Sequence, residues 1–71
     1  MNYREEAIRY MVNKAKSDKA KALMSLSLLL DNGVGIGDHS TGDFHTNLDE
    51  ALDTLVDAKD RLEVLQEYFS S

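Results

Sequence analysis

The residues of this 71-residue chain with the most chemistry in them lie in one stretch, DNGVGIGDHSTGDFHTN, at positions 31–47. Three glycines alternate at Gly33, Gly35 and Gly37, and Asp38, His39, Asp43 and His45 follow. The first chemistry such residues suit is anion binding. Glycines free backbone N–H groups to converge on one ligand, and a helix starting downstream adds the positive end of its dipole. On that reading Gly33, Gly35 and Gly37 supply donors and Ile36 an apolar wall. His39 donates or stacks on a base, and Asp38 orients His39 or accepts from a sugar hydroxyl or a base. The spacing is not that of a phosphate-binding loop, which needs Gly-Lys-Ser/Thr. Nor is it the dinucleotide fingerprint, which needs a preceding strand. Asp38 and Asp43 oppose a bare phosphate unless they turn outward or bind its sugar or base.

Metal binding is the second chemistry. Asp38, His39, Asp43 and His45 are the right ligand types, but their spacing is irregular and outside any helical i, i+4 arrangement, so no metal site is expected. The third is catalysis. Asp38, His39 and Ser40 are the residue types of a nucleophilic triad, yet sequential neighbours point apart and cannot form the relay. With no cysteine in the chain either, an enzyme is not expected, and no cofactor is implied. A purely structural reading stays open beside these. The glycines would shape an extended turn and Asp38 would cap a short helical turn through DHST. Val34, Ile36 and Phe44 are apolar anchors that a floppy linker does not need, which favours an ordered loop.

The flanking segments that must position this stretch carry a helical repeat. From Leu48 the apolar residues fall at Leu48, Ala51, Leu55, Ala58, Leu62, Leu65 and Phe69, alternating steps of three and four. That seven-residue period marks a helix packed along a narrow seam. Thr46 stands three before Asp49 and Asn47 three before Glu50, so either suits a capping-box start. Asp49, Glu50 and Asp53 suit the positive end of that helix. The first segment repeats in the same way at Ile8, Val12, Ala15, Lys19, Ala22, Leu26 and Leu29. Lys19 is its one polar intrusion, a long amine able to snorkel out toward an acid of the other helix. Gly33 stands where a helix ending at Asp31 or Asn32 wants a left-handed cap. The expected fold is all-α, a single domain over 1–71. It is an antiparallel hairpin of helices at about 3–31 and 47–69 with a loop at 32–46, Leu26 and Leu29 near Leu48 and Leu52, and Ile8 near Phe69. A connection that long exceeds the usual two to eight residues between helices and itself hints at function.

The net charge is −5, unevenly spread. Residues 1–30 carry six bases against three acids, and residues 47–71 carry seven acids against two bases. Side by side, the two segments are expected to neutralise each other. An acidic chain whose lysines have acidic neighbours is not expected to bind nucleic acid. The longest apolar-rich run, Ala22 to Leu30, is too short to cross a bilayer. The acids Glu5 and Glu6 in the first ten residues do not suit a signal peptide. The absence of cysteine fits a reducing compartment. The expectation is a cytoplasmic protein with no membrane partner.

A chain this short, with no disulfide, needs helix packing, a metal or association to hold it together. One seam between two helices buries little. Apolar residues also lie outside the seam: Ala20, Met24 and Leu28 in an i, i+4, i+8 row, Leu23, Leu30 and Met11 on its flank, and Leu52, Val56, Val64 and Tyr68 in the second helix. A helix apolar most of the way round is buried on more than one side. A homo-oligomer is therefore expected, a dimer forming a four-helix bundle or a larger ring.

The stretch NGVGIGDH, Asn32 to His39, followed by Ala51, Leu55, Ala58, Asp60, Leu62, Leu65, Tyr68 and Phe69, resembles a group of short bacteriophage-encoded proteins with a Gly-Ile-Gly-Asp-His loop between two helices. The likeness covers the second half of the chain and identifies no activity. In size, helical character and need to associate, the chain is also similar to small helical phage proteins that sequester cyclic nucleotide signals of antiviral defence. The reading of the loop and of the apolar surplus, taken with this analogy, leads to the expectation of a non-enzymatic, oligomeric phage accessory protein in the host cytoplasm. Such a protein would bind a small anionic ligand, a cyclic nucleotide immune signal, through Gly33, Gly35, Ile36, Gly37, Asp38 and His39. The alternative is a protein-interaction or structural module with no small-molecule ligand. Its acidic second helix, or its Ala20, Met24 and Leu28 row, would then engage a host or phage protein.

Overall fold

The computed structural model describes residues 2–32 and 41–70. Among the described residues there are two helices, α1 over Tyr3–Asn32 and α2 over Thr41–Phe69. They pack against each other as an all-α hairpin. Its long axis is 50 Å against 21 and 17 Å across, close to the length of one 30-residue helix at about 1.5 Å per residue.

α1 begins where its cap is. The Asn2 side-chain oxygen accepts from the Glu5 backbone N–H at 3.2 Å, and the Asn2 carbonyl accepts from the Glu6 N–H at 3.1 Å. Glu5 and Glu6 then place negative charge against the positive end of the dipole.

α2 begins at Thr41, six residues before the position that Thr46 and Asn47 suggest. The expected loop at 32–46 is corrected accordingly: Thr41, Gly42, Asp43, Phe44, His45 and Thr46 are helical. A polar residue with an acid three places on also occurs inside a helix, where no terminus needs it. Phe44 carried the opposite signal. It stands four residues before Leu48, in phase with the seam, and it is half-buried. The expected helix start near Asn47 is thus moved toward the N-terminus, and residues 33–40 lie outside the described residues.

The core is the expected seam, built at its centre from small side chains. Among the described residues the buried ones are Ala15, Ala22 and Leu29 in α1 and Ala51, Ala58 and Leu65 in α2, each trio spaced by sevens. Ile8, Val12 and Leu26 stand half-buried beside the first trio, and Phe44, Leu48, Leu55 and Leu62 beside the second. The Arg4 guanidinium over Phe69 fixes one end of an antiparallel register, and a groove lined by both Ala22 and Ala51 fixes the other half. Ala15 then falls level with Ala58. Small side chains at the contact let helix axes approach toward the short end of a range of roughly 8–10 Å. Ile8 and Phe69 line one groove, as the repeat implies.

Four ion pairs of the described residues run along a helix. Arg9–Glu6, Lys14–Asp18 and Arg61–Asp57 close at 3.0 Å and Lys59–Glu63 at 4.0 Å, each within one helix. Lys19 is exposed and, among the described residues, makes no ion pair, so the reach to an acid of the other helix is not made. Small residues bring the backbones together at the seam, and charged side chains such as Asp18, Lys21, Glu50, Lys16, Lys19 and Lys59 line the grooves that flank it.

Candidate functional site

The residues expected to bind a small anion, Gly33, Gly35, Ile36, Gly37, Asp38 and His39, lie outside the described residues. Two neighbours weighed with them are described. Asp43 and His45 sit in the first turns of α2 and are exposed, with the His45 ring 5.9 Å from that of Phe44. Among the described residues no three His, Cys, Asp or Glu side chains gather where they could hold a metal ion.

What the described residues do bring together is surface. Two long helices in contact along one line leave two lateral sides, each made of one row from each helix. On the first side, the α1 row passes through Met11, Lys14, Asp18, Lys21 and Ser25, and the α2 row through Asn47, Glu50, Thr54, Asp57, Arg61 and Val64. Near the connection this side is polar: Asp18, Lys21, Ser25, Asn47, Glu50 and Thr54 line a shallow groove over Ala22 and Ala51. Near the termini it turns apolar. Tyr10, Met11, Val64, Leu65 and Phe69 line an open groove of about 550 Å³, with Lys14, Asp60 and Arg61 at its rim.

On the second side, near the termini, Ile8, Val12, Lys16 and Lys19 of α1 share a groove with Lys59, Leu62, Glu63, Leu65 and Phe69 of α2, so apolar residues line both grooves at that end. Continuing each row by steps of four and three toward the connection gives Leu23, Leu26 and Leu30 in α1 and Leu55, Leu52 and Leu48 in α2. Every one of those six positions is leucine. Leu26, Leu48 and Leu55 are half-buried, whereas Leu23, Leu30 and Leu52 are 46%, 67% and 51% exposed. Away from both lateral sides, Met24 and Leu28 of the back row of α1 are also exposed.

The leucine face was half legible in sequence. Leu23 and Leu30 read as a flank of one helix and Leu52 as an off-seam residue of the other. That they form one face follows only from the pairing and register of the two helices. The cap at Asn2 was missed, although Asn followed three residues later by Glu is the pattern of an N-cap.

No helix among the described residues is long and apolar enough to cross a membrane. The architecture defines a helical-hairpin protein. Compared with known proteins, the chain matches no family model, no curated protein and no solved structure.

Proposed function

We propose that this chain is a non-enzymatic association module that works as a homo-oligomer of helical hairpins. The observation that supports this most is the imbalance between its interior and its surface. Among the described residues, four of the six that are buried are alanines, while twelve large apolar side chains are exposed. The accessible surface is 5625 Å², about 1,200 Å² more than the roughly 4,450 Å² expected of a folded monomer of this mass. The radius of gyration of 15.7 Å likewise exceeds the roughly 11 Å of a compact chain of this length. A specific protein interface removes about 800 Å² from each partner, which is the scale of the excess. Sedimentation equilibrium across micromolar concentrations is the test. A mass of two or more chains is expected, with helicity that falls on dilution. A folded, cooperatively melting single chain would remove the proposal.

A second reading adds a ligand, and one observation favours it. Because α2 starts at Thr41, the segment holding Gly33, Gly35 and Gly37 runs within a few residues into the N-terminus of a 29-residue helix. Backbone donors followed by the positive end of a helix dipole suit an anion. In the bacteriophage setting that the sequence resemblance implies, the ligand would be a cyclic nucleotide immune signal, held and not cleaved. Gly33, Gly35 and Gly37 would donate, Ile36 would form an apolar wall, and His39 would donate or stack beside Asp38. Titration calorimetry against cyclic di- and trinucleotides is the test. Binding that disappears in His39→Ala supports the reading, and absence of heat with every member of the panel removes it.

A further inference from the structure

We propose that the groove on the second side, near the termini, binds a single-chain anionic amphiphile, a fatty acyl carboxylate. Lys16, Lys19 and Lys59 hold its head, and its chain lies along Ile8, Val12, Leu62 and Phe69. The inference goes beyond the association reading and holds for a single hairpin as well.

Charge singles this groove out. Lys16 and Lys19 come from α1 and Lys59 from α2, so cations line it from both helices. With Ala15 level with Ala58, Lys16 and Lys59 stand about 3 Å apart along the hairpin axis, and Lys19 follows within a turn of Lys16. Among the described residues neither Lys16 nor Lys19 makes an ion pair, although the chain as a whole carries a net charge of −5. Glu63 is the acid that lines the groove, and it stands 4.0 Å from Lys59, with both side chains mostly exposed. The groove thus holds three bases against one acid. Two other grooves are compensated. Lys21 shares its groove with Asp18 and Glu50, while Lys14 and Arg61 of the groove through Tyr10 are each met by a carboxylate at 3.0 Å. Clustered like charge beside low-dielectric walls concentrates ions of the opposite sign.

A small inorganic anion would use only the lysine end. Toward the termini the groove is apolar: Ile8, Val12 and Leu62 are half-buried, and Phe69 is 42% exposed. Because Phe69 meets Arg4, the stretch from Val12 to Phe69 runs about 12 Å along the axis, at about 1.5 Å per residue. The groove encloses about 460 Å³, inside the range of roughly 300–1,000 Å³ for small-molecule sites. Cations at one end and apolar walls along the rest match a molecule with a charged head and an alkyl chain. The lysine stems add to the walls while their amines reach the head. Glu63, one turn nearer the termini than Lys59, repels a head placed at the apolar end and so sets the direction of the chain.

Titration calorimetry of the full chain with decanoate, kept below its micellar range, is the test. Binding is expected to weaken about fivefold in each of Lys16→Gln, Lys19→Gln and Lys59→Gln, the loss of roughly one charge contact in water. These lysines are exposed, so the substitutions leave the seam intact. Lys21→Gln changes the net charge equally but lies on the other side, and should bind as the wild type does. Octanoate should bind more weakly than decanoate. Decyltrimethylammonium, with the same chain and the opposite charge, should bind at least about tenfold more weakly. Equal weakening by Lys21→Gln, or equal binding of decyltrimethylammonium, would overturn the site, because the probe would then be adhering to exposed leucines or to charge at large. Absence of saturable decanoate binding to the wild type would overturn it outright. A chain that sediments as one copy removes the association reading and leaves this site standing.

Discussion

The guanidinium of Arg4 lies 5.7 Å from the centre of the Phe69 ring, joining the first turn of α1 to the last residue of α2. Neither helix has a base in its own last turn. The antiparallel arrangement brings one from the other helix, so a cation stands at the negative end of the α2 dipole and over an aromatic face at once. Phe69 is exposed, which places the contact in the weaker range, about 0.5–1 kcal/mol. Arg4→Ala is therefore expected to lower the melting temperature by a few degrees, read by circular dichroism at fixed chain concentration. Arg4→Lys should recover part of the loss, and an unchanged melt in Arg4→Ala would show that the contact contributes nothing.

Ala58 is 1% exposed at the centre of the seam, where a small side chain lets the backbones approach. Ala58→Leu forces the helices apart and is expected to cost about 1–3 kcal/mol. Ala20→Leu adds the same atoms on the exposed back of α1 and should be nearly neutral. The pair of chemical denaturation curves separates overpacking from any general effect of an added leucine.

Leu65 is the one leucine that lines the apolar grooves on both sides near the termini, and it is buried between them. Truncating such a side chain removes its transfer energy and leaves a cavity. Leu65→Ala should cost about 2–5 kcal/mol, enough to unfold a small hairpin at room temperature. Val64→Ala, beside it and 48% exposed, should cost far less. Equal losses in the two would mean that the seam is not where the stability lies.

Gly42 falls in the first turn of α2, although it reads as part of a loop from sequence. If the helix starts at Thr41, Gly42→Ala removes backbone freedom from the unfolded chain at a position already helical. A gain of up to about 1 kcal/mol is expected, with unchanged helicity. A loss, or no change, would argue for the later start near Asn47.

The two helices and their contact faces were legible because an apolar repeat of seven is a local property. Ile8 to Leu29 and Leu48 to Phe69 announce a seam whatever they meet. The start of α2 was misjudged because a capping pattern is short and recurs by chance, whereas Phe44, in phase with Leu48, carried the correct signal. Lys19 does line a groove with Glu63 of the opposite helix, but that acid pairs with Lys59 of its own helix, which the sequence of α1 alone does not show. Of the expected ligand residues, none falls among the described positions. What the described positions added was a surface that no single segment displays.

Residue order alone determined that this chain forms two helices, which stripe of each faces the other, and that apolar side chains are left over. Those follow from periodicity, which each helix carries by itself. Only the tertiary structure decided where the leftovers go. The antiparallel register puts Leu23, Leu26 and Leu30 beside Leu48, Leu52 and Leu55, and sets Lys16, Lys19 and Lys59 beyond them on the same side. Which residues share a face across two helices depends on how the helices are paired and shifted, and close contact at Ala22 and Ala51 is what settles that alignment.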